Sequence, residues 1–170
     1  ARGNIRAEAV IVTVSTSVLA SGRITLDAAL PKRTLDAAGA LSLGTRDRLV
    51  FELKGNPFKF GDDLRILFKS MDARNISMLA RAGGSDICFA EFSGTFGREM
   101  STKGEAAMRD FVAEQFTEHF GAEAKKYLGR AEAVRWSADP FILGGTSAAA
   151  PGRGGSRRIL SEPLFDRMFL

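Results

Sequence analysis

Four short apolar segments follow one another closely in the middle of the chain and decide its fold. Residues 48–53 read RLVFEL, residues 64–69 LRILFK, residues 76–81 ISMLAR and residues 86–92 DICFAEF. Gly, Asn or Asp residues separate each segment from the next, as is typical of strands joined by turns. Because such short connections join antiparallel neighbours, the pattern predicts a largely antiparallel sheet.

The segments on either side of these strands extend the predicted sheet and begin the helical part. Residues 8–14 are an apolar run rich in β-branched side chains, which predicts a buried strand, and residues 131–136 predict another. Pro31 stands where a helix favours its first residue, and apolar residues at helical spacing follow it until Gly44. We therefore expect a helix between the first strand and the central four.

The longest predicted helix covers residues 102–120. Thr102 and Glu105 have the spacing of a capping box, and Gly121 is placed to end the helix. Its apolar residues recur at helical intervals and form one stripe: Met108, Phe111, Val112, Phe116 and Phe120. Together the segments predict an α+β fold with a mixed, largely antiparallel sheet flanked by helices.

The composition indicates a self-sufficient core. The chain has 170 residues, of which 45% are hydrophobic, so it can bury a core without disulfides or metal. No window approaches the roughly 20 unbroken apolar residues that cross a bilayer. We expect a soluble domain in the cytoplasm, with no membrane partner.

Cysteine and histidine each occur once, as Cys88 and His119. A single cysteine excludes an internal disulfide and a multi-cysteine zinc site, and a single histidine excludes a two-histidine metal site. We therefore expect no metal. His119 falls in the last turn of the long predicted helix, where a surface or capping role is the favoured interpretation.

The charge pattern gives little support to a nucleic-acid partner. The formal net charge is +4, and the basic excess is spread along the chain. Only Arg153, Arg157 and Arg158 form a cluster, whereas nucleic-acid modules carry a concentrated basic face. We expect no nucleic-acid binding, and a noncatalytic binding module stays open as an alternative.

Three local patterns invite a catalytic interpretation and do not meet its requirements. Residues 152–157 lack the third glycine of a dinucleotide fingerprint and the Gly-Lys-Ser/Thr ending of a P-loop. Residues 145–149 lack the second glycine of a nucleophile elbow. Asp62 and Asp63 are adjacent beside Gly61, and carboxylates placed so in a turn point apart into solvent. None of the three predicts a site.

Two distant blocks form an ordered pattern that is more specific than any single motif. The first block consists of residues 8–14, Val18-Leu19, Ile24, Ala29-Leu30-Pro31, Gly44-Thr45 and Asn56-Pro57-Phe58; the second consists of residues 135–141, residues 144–147 and Pro151-Gly152. In order and spacing this set resembles the flavin-containing amine oxidase family, which includes monoamine, polyamine and L-amino-acid oxidases. The resemblance covers roughly residues 8–60 and 130–152.

The resemblance implies a substrate-binding domain that caps a separate FAD-binding domain. The dinucleotide fingerprint of that second domain is absent from the 170 residues. We therefore expect residues 1–170 to be one excised domain that carries only the edges of the FAD site, and the apolar ending at residues 167–170 agrees with a cut inside a longer chain. Such a fragment is expected to be inactive and not to bind FAD by itself.

The resemblance also assigns candidate site residues. The positions of Trp136, Phe141, Gly145 and Thr146 lie near the flavin in this family, so these residues are the expected cofactor-binding set. Arg48 aligns with the lysine that reaches the flavin N5 through water, which makes it the catalytic candidate. Gly145 stands where some animal members carry the cysteine that bonds to FAD, so noncovalent FAD is expected.

The expected function is therefore FAD-dependent oxidation of a C–N bond in an amine or amino acid. Arg48 stays protonated where the family has a tunable amine, and Thr146 replaces an aromatic residue of the substrate cage. These departures keep a second interpretation open, a related flavoprotein desaturase or oxidase that acts on a non-amine substrate. The expected partners are a small amine-like substrate, the remainder of the same chain and, through exposed apolar surface, a second copy.

Overall fold

The computed structural model describes residues 3–25, 29–69 and 74–170. Its helices and strands, in chain order, are β1 (Val10–Ile11), α1 (Thr16–Ala20), α2 (Lys32–Gly39), β2 (Arg46–Leu53), β3 (Leu64–Phe68), β4 (Ile76–Ala80), β5 (Ile87–Ser93), α3 (Gly94–Lys103), α4 (Glu105–Phe120), β6 (Leu128–Val134), α5 (Ser156–Leu160) and β7 (Met168–Phe169). Short 3₁₀ turns occupy Ala82–Gly84 and Ala122–Tyr127. The predicted α+β class is confirmed.

Contacts between these elements divide the chain into two compact units. The first unit comprises Ala1–Leu43, Pro140–Leu143 and Ser147–Leu170, and the second comprises Gly44–Asp139 and Gly144–Thr146. The second unit is thus nearly continuous in sequence, whereas the first is assembled from separated segments. That residues 1–170 are an excised substrate-binding domain stays a prediction.

The second unit is built on a five-stranded sheet with the order β3-β4-β5-β2-β6. Every neighbouring pair is antiparallel, and Phe51 lies opposite both Cys88 of β5 and Ala131 of β6. The four central segments of the sequence and the segment that follows the long helix supply these five strands. The predicted antiparallel orientation is confirmed, but β2 pairs with β5 and β6 and not with β3, which follows it in sequence.

The two faces of this sheet differ because side chains alternate along each strand. The apolar residues of the inner face join those of α3 and α4 in one core and include Leu49, Phe51, Leu53, Ile66, Phe68, Ile76, Met78, Ala80, Cys88, Ala90, Phe92, Ala131 and Ala133. Asp47 lies on the same side of β2. The outer face consists of Arg46, Arg48, Val50, Glu52, Arg65, Leu67, Ser77, Leu79, Ile87, Phe89, Glu91, Arg130, Glu132 and Val134. Within the second unit, α3 and α4 pack against the inner face.

Aromatic rings fill the space between the inner face and α4. Phe116 is fully buried and its ring centroid lies 5.8 Å from that of Phe51 in an edge-to-face arrangement. Phe58, Phe68 and Phe120 surround the same ring at 5.4–6.1 Å. Rings at these separations add a directional attraction to the hydrophobic gain of burial.

The single long helix expected over residues 102–120 is two helices. Gly104 has φ 92°, a left-handed conformation that favours glycine, and it ends α3 and begins α4. The predicted capping box is wrong: the Thr102 hydroxyl donates to the carbonyl of Arg98 at 3.0 Å, and Glu105 accepts the amide of Ala133 at 2.9 Å. The apolar stripe of α4 is confirmed, with Phe120 partly exposed and the other four members buried.

The first unit contains α1, α2, α5 and the parallel pair β1–β7. The predicted buried strand over residues 8–14 is wrong in length and burial, because only Val10 and Ile11 pair with β7, and these two side chains are 45% and 72% exposed. α2 begins directly after Pro31, which is its N-cap and not its first residue as predicted, and it ends at Gly39, before the predicted end near Gly44. None of the helices in the described part of the chain combines the length and the apolar composition needed to span a bilayer.

Candidate functional site

Two arginines and one glutamate form a charged cluster on the outer face. Arg46 and Arg48 are two residues apart on β2 and so project to the same side, and the register places Glu91 directly opposite Arg48. The Glu91 Oε2 atom accepts from Arg46 Nε at 2.9 Å and from Arg48 Nη2 at 3.4 Å. One carboxylate oxygen therefore serves two guanidinium groups, and the cluster keeps one net positive charge.

A cavity of about 270 Å³ adjoins this cluster, and we call it the tryptophan cavity. Its lining consists of Arg46, Arg48, Val50, Phe89, Val134, Trp136, Gly145 and Thr146. Four of the five site residues proposed from the sequence thus lie around one cavity: Arg48, Trp136, Gly145 and Thr146. Arg48 belongs to β2, whereas the other three follow β6 in the sequence. Their roles toward a cofactor stay predictions.

Gly145 brings the backbone of its loop against β2. A Cβ atom added at Gly145 would lie 2.5 Å from the Cβ of Arg46, closer than any real contact of this kind. The amide of Gly145 donates to the carbonyl of Gly44 at 2.8 Å, and the amide of Gly44 donates to the carbonyl of Thr146 at 3.0 Å. The absence of a side chain at Gly145 is therefore required for this close approach.

Trp136 follows β6 and is held in place by its neighbours' backbone. The amide of Gly144 donates to the carbonyl of Trp136 at 3.0 Å, and the amide of Ser137 donates to Asp47 Oδ1 at 2.9 Å. The indole is half exposed and forms one wall of the tryptophan cavity. Its position thus depends on a carboxylate that comes from β2.

Asp47 is a positioning residue that the sequence analysis missed. It is fully buried, and among the described residues it is the one buried side chain that carries a formal charge. Its Oδ2 atom and the nearby Ser137 hydroxyl have no hydrogen-bond partner among the residues that the structure describes. The sequence does contain a signal for it. Asp47 alternates in step with Leu49, Phe51 and Leu53 along β2, which places its carboxylate on the buried side of the strand.

A second cavity, of about 250 Å³, lies on the same face, and we call it the arginine cavity. Its lining consists of Arg46, Arg48, Arg65, Ile66, Leu67, Ser77, Met78, Leu79, Phe89 and Glu91. Arg46, Arg48 and Phe89 line both cavities, so the two adjoin. The sequence analysis did not find this cavity, because it depends on which residues of four strands share a face.

The remaining candidates are not among the residues that line either cavity. Phe141 belongs to the first unit and its ring is 83% exposed, and its role in cofactor binding stays a prediction. His119 is exposed near the end of α4, where its Nδ1 lies 3.0 Å from the carbonyl oxygen of Gln115. Asp62 is exposed in a turn and pairs with Arg81. Among residues 3–25, 29–69 and 74–170, no three His, Cys, Asp or Glu side chains come together as metal ligands.

The chain was compared with known protein families and with curated proteins. The model of one family, described as flavin-containing amine oxidoreductase, matches residues 1–170. No curated protein matches the chain. The family match therefore extends over the whole sequence and includes every residue of both cavities.

Proposed function

Because the chain belongs to the flavin-containing amine oxidoreductase family, which makes it a flavin-dependent oxidoreductase, we propose that it helps to oxidise a C–N bond of an amine or amino acid. In this proposal residues 1–170 supply the substrate-binding domain and the edges of an FAD site. The rest of the FAD site belongs to a Rossmann domain in another part of the same parent chain, since its fingerprint is absent from the 170 residues.

The observation that carries the proposal is the convergence of Arg48, Trp136, Gly145 and Thr146 on the tryptophan cavity. The cavity suits one edge of a flat aromatic ring system. Trp136 and the apolar side chains around it offer a wall for the ring, and Gly145 leaves backbone exposed where a side chain would collide with Arg46. The residues present therefore fit a flavin.

Bound flavin would supply the acceptor for the hydride equivalent that leaves the substrate. The residues of the chain contribute the surroundings of that step. Val50, Phe89 and Trp136 give the cavity an apolar wall against which a flat ring system would pack. Arg48 offers its guanidinium N–H groups to an anionic group or a water molecule.

The same geometry favours noncovalent FAD. Gly145 has no thiol at the position where some family members attach the cofactor, and a cysteine side chain there would meet Arg46. Cys88, the single cysteine of the chain, is fully buried on the inner face. Burial raises the pKa of the Cys88 thiol, so its nucleophilic thiolate form is disfavoured.

A related flavoprotein that acts on a non-amine substrate is the second candidate. Arg48 in place of a lysine and Thr146 in place of an aromatic residue favour it, because both are departures from the amine-oxidising pattern at the cavity itself. In either case we propose a small-molecule substrate.

We also propose that the chain assembles with the remainder of the parent chain, has no nucleic-acid partner and is located in the cytoplasm. Pairing with a second copy through the exposed outer face is a further proposal.

The test is purification of the full-length parent protein. We expect a yellow protein that releases intact FAD on acid precipitation, as noncovalent binding requires. A screen of amines and amino acids should then give ammonia or aldehyde, whereas desaturated product without either would favour the second candidate. Residues 1–170 alone should bind no FAD and turn over no amine. A colourless full-length protein that takes up no FAD would overturn the proposal.

A further inference from the structure

The lining of the arginine cavity is strongly one-sided in charge. Arg46, Arg48 and Arg65 contribute three positive charges, and Glu91 contributes the single negative charge of the lining. Among the residues that the structure describes, no acidic side chain pairs with Arg65. The charged side chains of the described lining thus sum to two net positive charges.

The hydrogen bonds around Glu91 leave most of the donors free. Each guanidinium has five N–H groups in a planar fork, and Arg46 and Arg48 each give one nitrogen to the same oxygen of Glu91. Two arginines on one side of a strand repel each other unless an anion lies between or beside them. The cluster is thus arranged to accept a second carboxylate, which arginine binds in a bidentate manner.

The same cluster disfavours a simple cation. Glu91 is the one carboxylate that could hold an ammonium group in this cavity, and both arginines already occupy its Oε2 atom. An ammonium ion would have to compete with two guanidinium groups for Glu91 and would be repelled by both. A monoamine without a negative charge can use only the Oε1 atom of Glu91 and meets a lining of net positive charge, so it should bind more weakly than an anion.

Apolar side chains complete the lining and indicate what the carboxylate is attached to. Leu67, Leu79 and Phe89 lie on the outer face beside the arginines, and β3, β4 and β5 hold them in register. Phe89 also lines the tryptophan cavity, so an apolar chain can run from one cavity toward the other. Charge and shape thus agree on a carboxylate carried by an apolar chain.

From these observations we infer that the arginine cavity binds the carboxylate of an apolar substrate, so that the substrate class is an amino acid or another anionic compound and not a simple amine. That the bound compound is a substrate rests on the proposed function. The carboxylate site itself rests on Arg46, Arg48, Arg65 and Glu91, and it can be tested without turnover.

The experiment is calorimetric titration of the full-length protein with three six-carbon probes: hexanoate, hexylamine and hexanol. Hexanoate has no C–N bond, so its binding is measured without reaction. We expect hexanoate to bind at least about tenfold more tightly than either other probe, which corresponds to about 1.4 kcal/mol. Hexylamine binding as tightly as hexanoate would overturn the inference.

The variants Arg46→Gln and Arg65→Gln locate the effect. Each should weaken hexanoate binding by about tenfold and leave hexanol binding unchanged, because only the charged hydrogen bonds are lost. The matched control is Arg130→Gln, which removes an exposed arginine of the same sheet face outside both cavities and should leave hexanoate binding unchanged. Equal weakening by Arg130→Gln would overturn the inference, because the general charge of the face would then explain the binding.

The FAD content of the same preparation separates this inference from the proposed function. A yellow protein that oxidises amines but prefers no carboxylate would contradict the inference and leave the function standing. A colourless protein that still binds hexanoate through Arg46 and Arg65 would contradict the function and leave the carboxylate site standing. Far-ultraviolet circular dichroism of each variant ensures that a loss of binding is not a loss of folding.

Discussion

The inner and outer faces of the five-stranded sheet come from the same strands and have opposite tasks. The inner face carries aromatic and aliphatic side chains that are almost fully buried, with Asp47 as its single charge. The outer face carries Arg46, Arg48 and Glu91, which stay accessible beside two cavities. Alternation along a strand therefore lets one short segment, β2, stabilise the fold with every second residue and line the two cavities with the others.

The largest expected effect is a loss of stability when Phe116, the buried ring at the centre of the core beneath the inner face, is truncated. Phe116→Ala should lower the free energy of unfolding by about 3–5 kcal/mol, because it removes a fully buried ring that contacts four other phenylalanines and leaves a cavity. Denaturant unfolding followed by circular dichroism measures the loss. Leu67→Ala on the outer face, where the side chain is 57% exposed, is the control and should cost about 1 kcal/mol or less. Similar losses in the two variants would erase the distinction between the faces.

A smaller loss is expected where α3 approaches the inner face most closely. A Cβ atom added at Gly97 would lie 2.6 Å from the carbonyl carbon of Phe92, and backbone at that distance cannot move aside cheaply. Gly97→Ala should therefore cost about 1–3 kcal/mol through overpacking. Gly39→Ala, at the end of α2 with open space around it, is the matched substitution and should leave the midpoint of thermal unfolding unchanged or slightly raised. An unchanged midpoint for Gly97→Ala would show that α3 packs less tightly than described.

The smallest expected loss of stability concerns Asp47, which lies on the inner face and holds the loop of Trp136, a residue of the tryptophan cavity. Asp47→Ala removes the acceptor of the Ser137 amide and should cost about 1–2 kcal/mol, whereas Asp47→Asn keeps a carbonyl oxygen in place and should cost less. Because Trp136 is the single tryptophan of the 170 residues, its fluorescence anisotropy in this chain reports on the same loop. We expect the anisotropy to fall in Asp47→Ala and to stay near the wild-type value in Asp47→Asn. An equal fall in the two variants, both of which remove the charge, would show that the charge of Asp47, and not its hydrogen bond, positions Trp136.

The sequence was sufficient for most of the second unit's fold. The four central strands, their antiparallel pairing and the apolar stripe of α4 all follow from local patterns that repeat over several residues. The break at Gly104 was missed because Thr102 and Glu105 imitate a helix start in sequence while belonging to two different helices. The prediction of a buried strand at residues 8–14 failed for a different reason. An apolar segment is buried only where another part of the structure covers it, and Val10 and Ile11 are exposed.

The candidate site was predictable in its residue types more than in its geometry. Resemblance to a family brought Arg48, Trp136, Gly145 and Thr146 into one hypothesis. It did not find Arg46, Arg65 or Glu91, because their proximity depends on the register between strands that lie far apart in sequence. The role of Asp47 was missed because a carboxylate that faces a core is rare, so its residue type alone predicts a position in solvent.

The division of the first unit into separated segments affects the order in which the chain can fold. The second unit draws nearly all of its contacts from the continuous stretch Gly44–Asp139, so its sheet can form as soon as that stretch is available. The first unit must instead bring Val10 against Met168 and close a very long loop before β1 and β7 can pair. Loop closure of this length carries an entropic cost and slows assembly. During synthesis the sheet should therefore be in place before β7 is available to pair with β1.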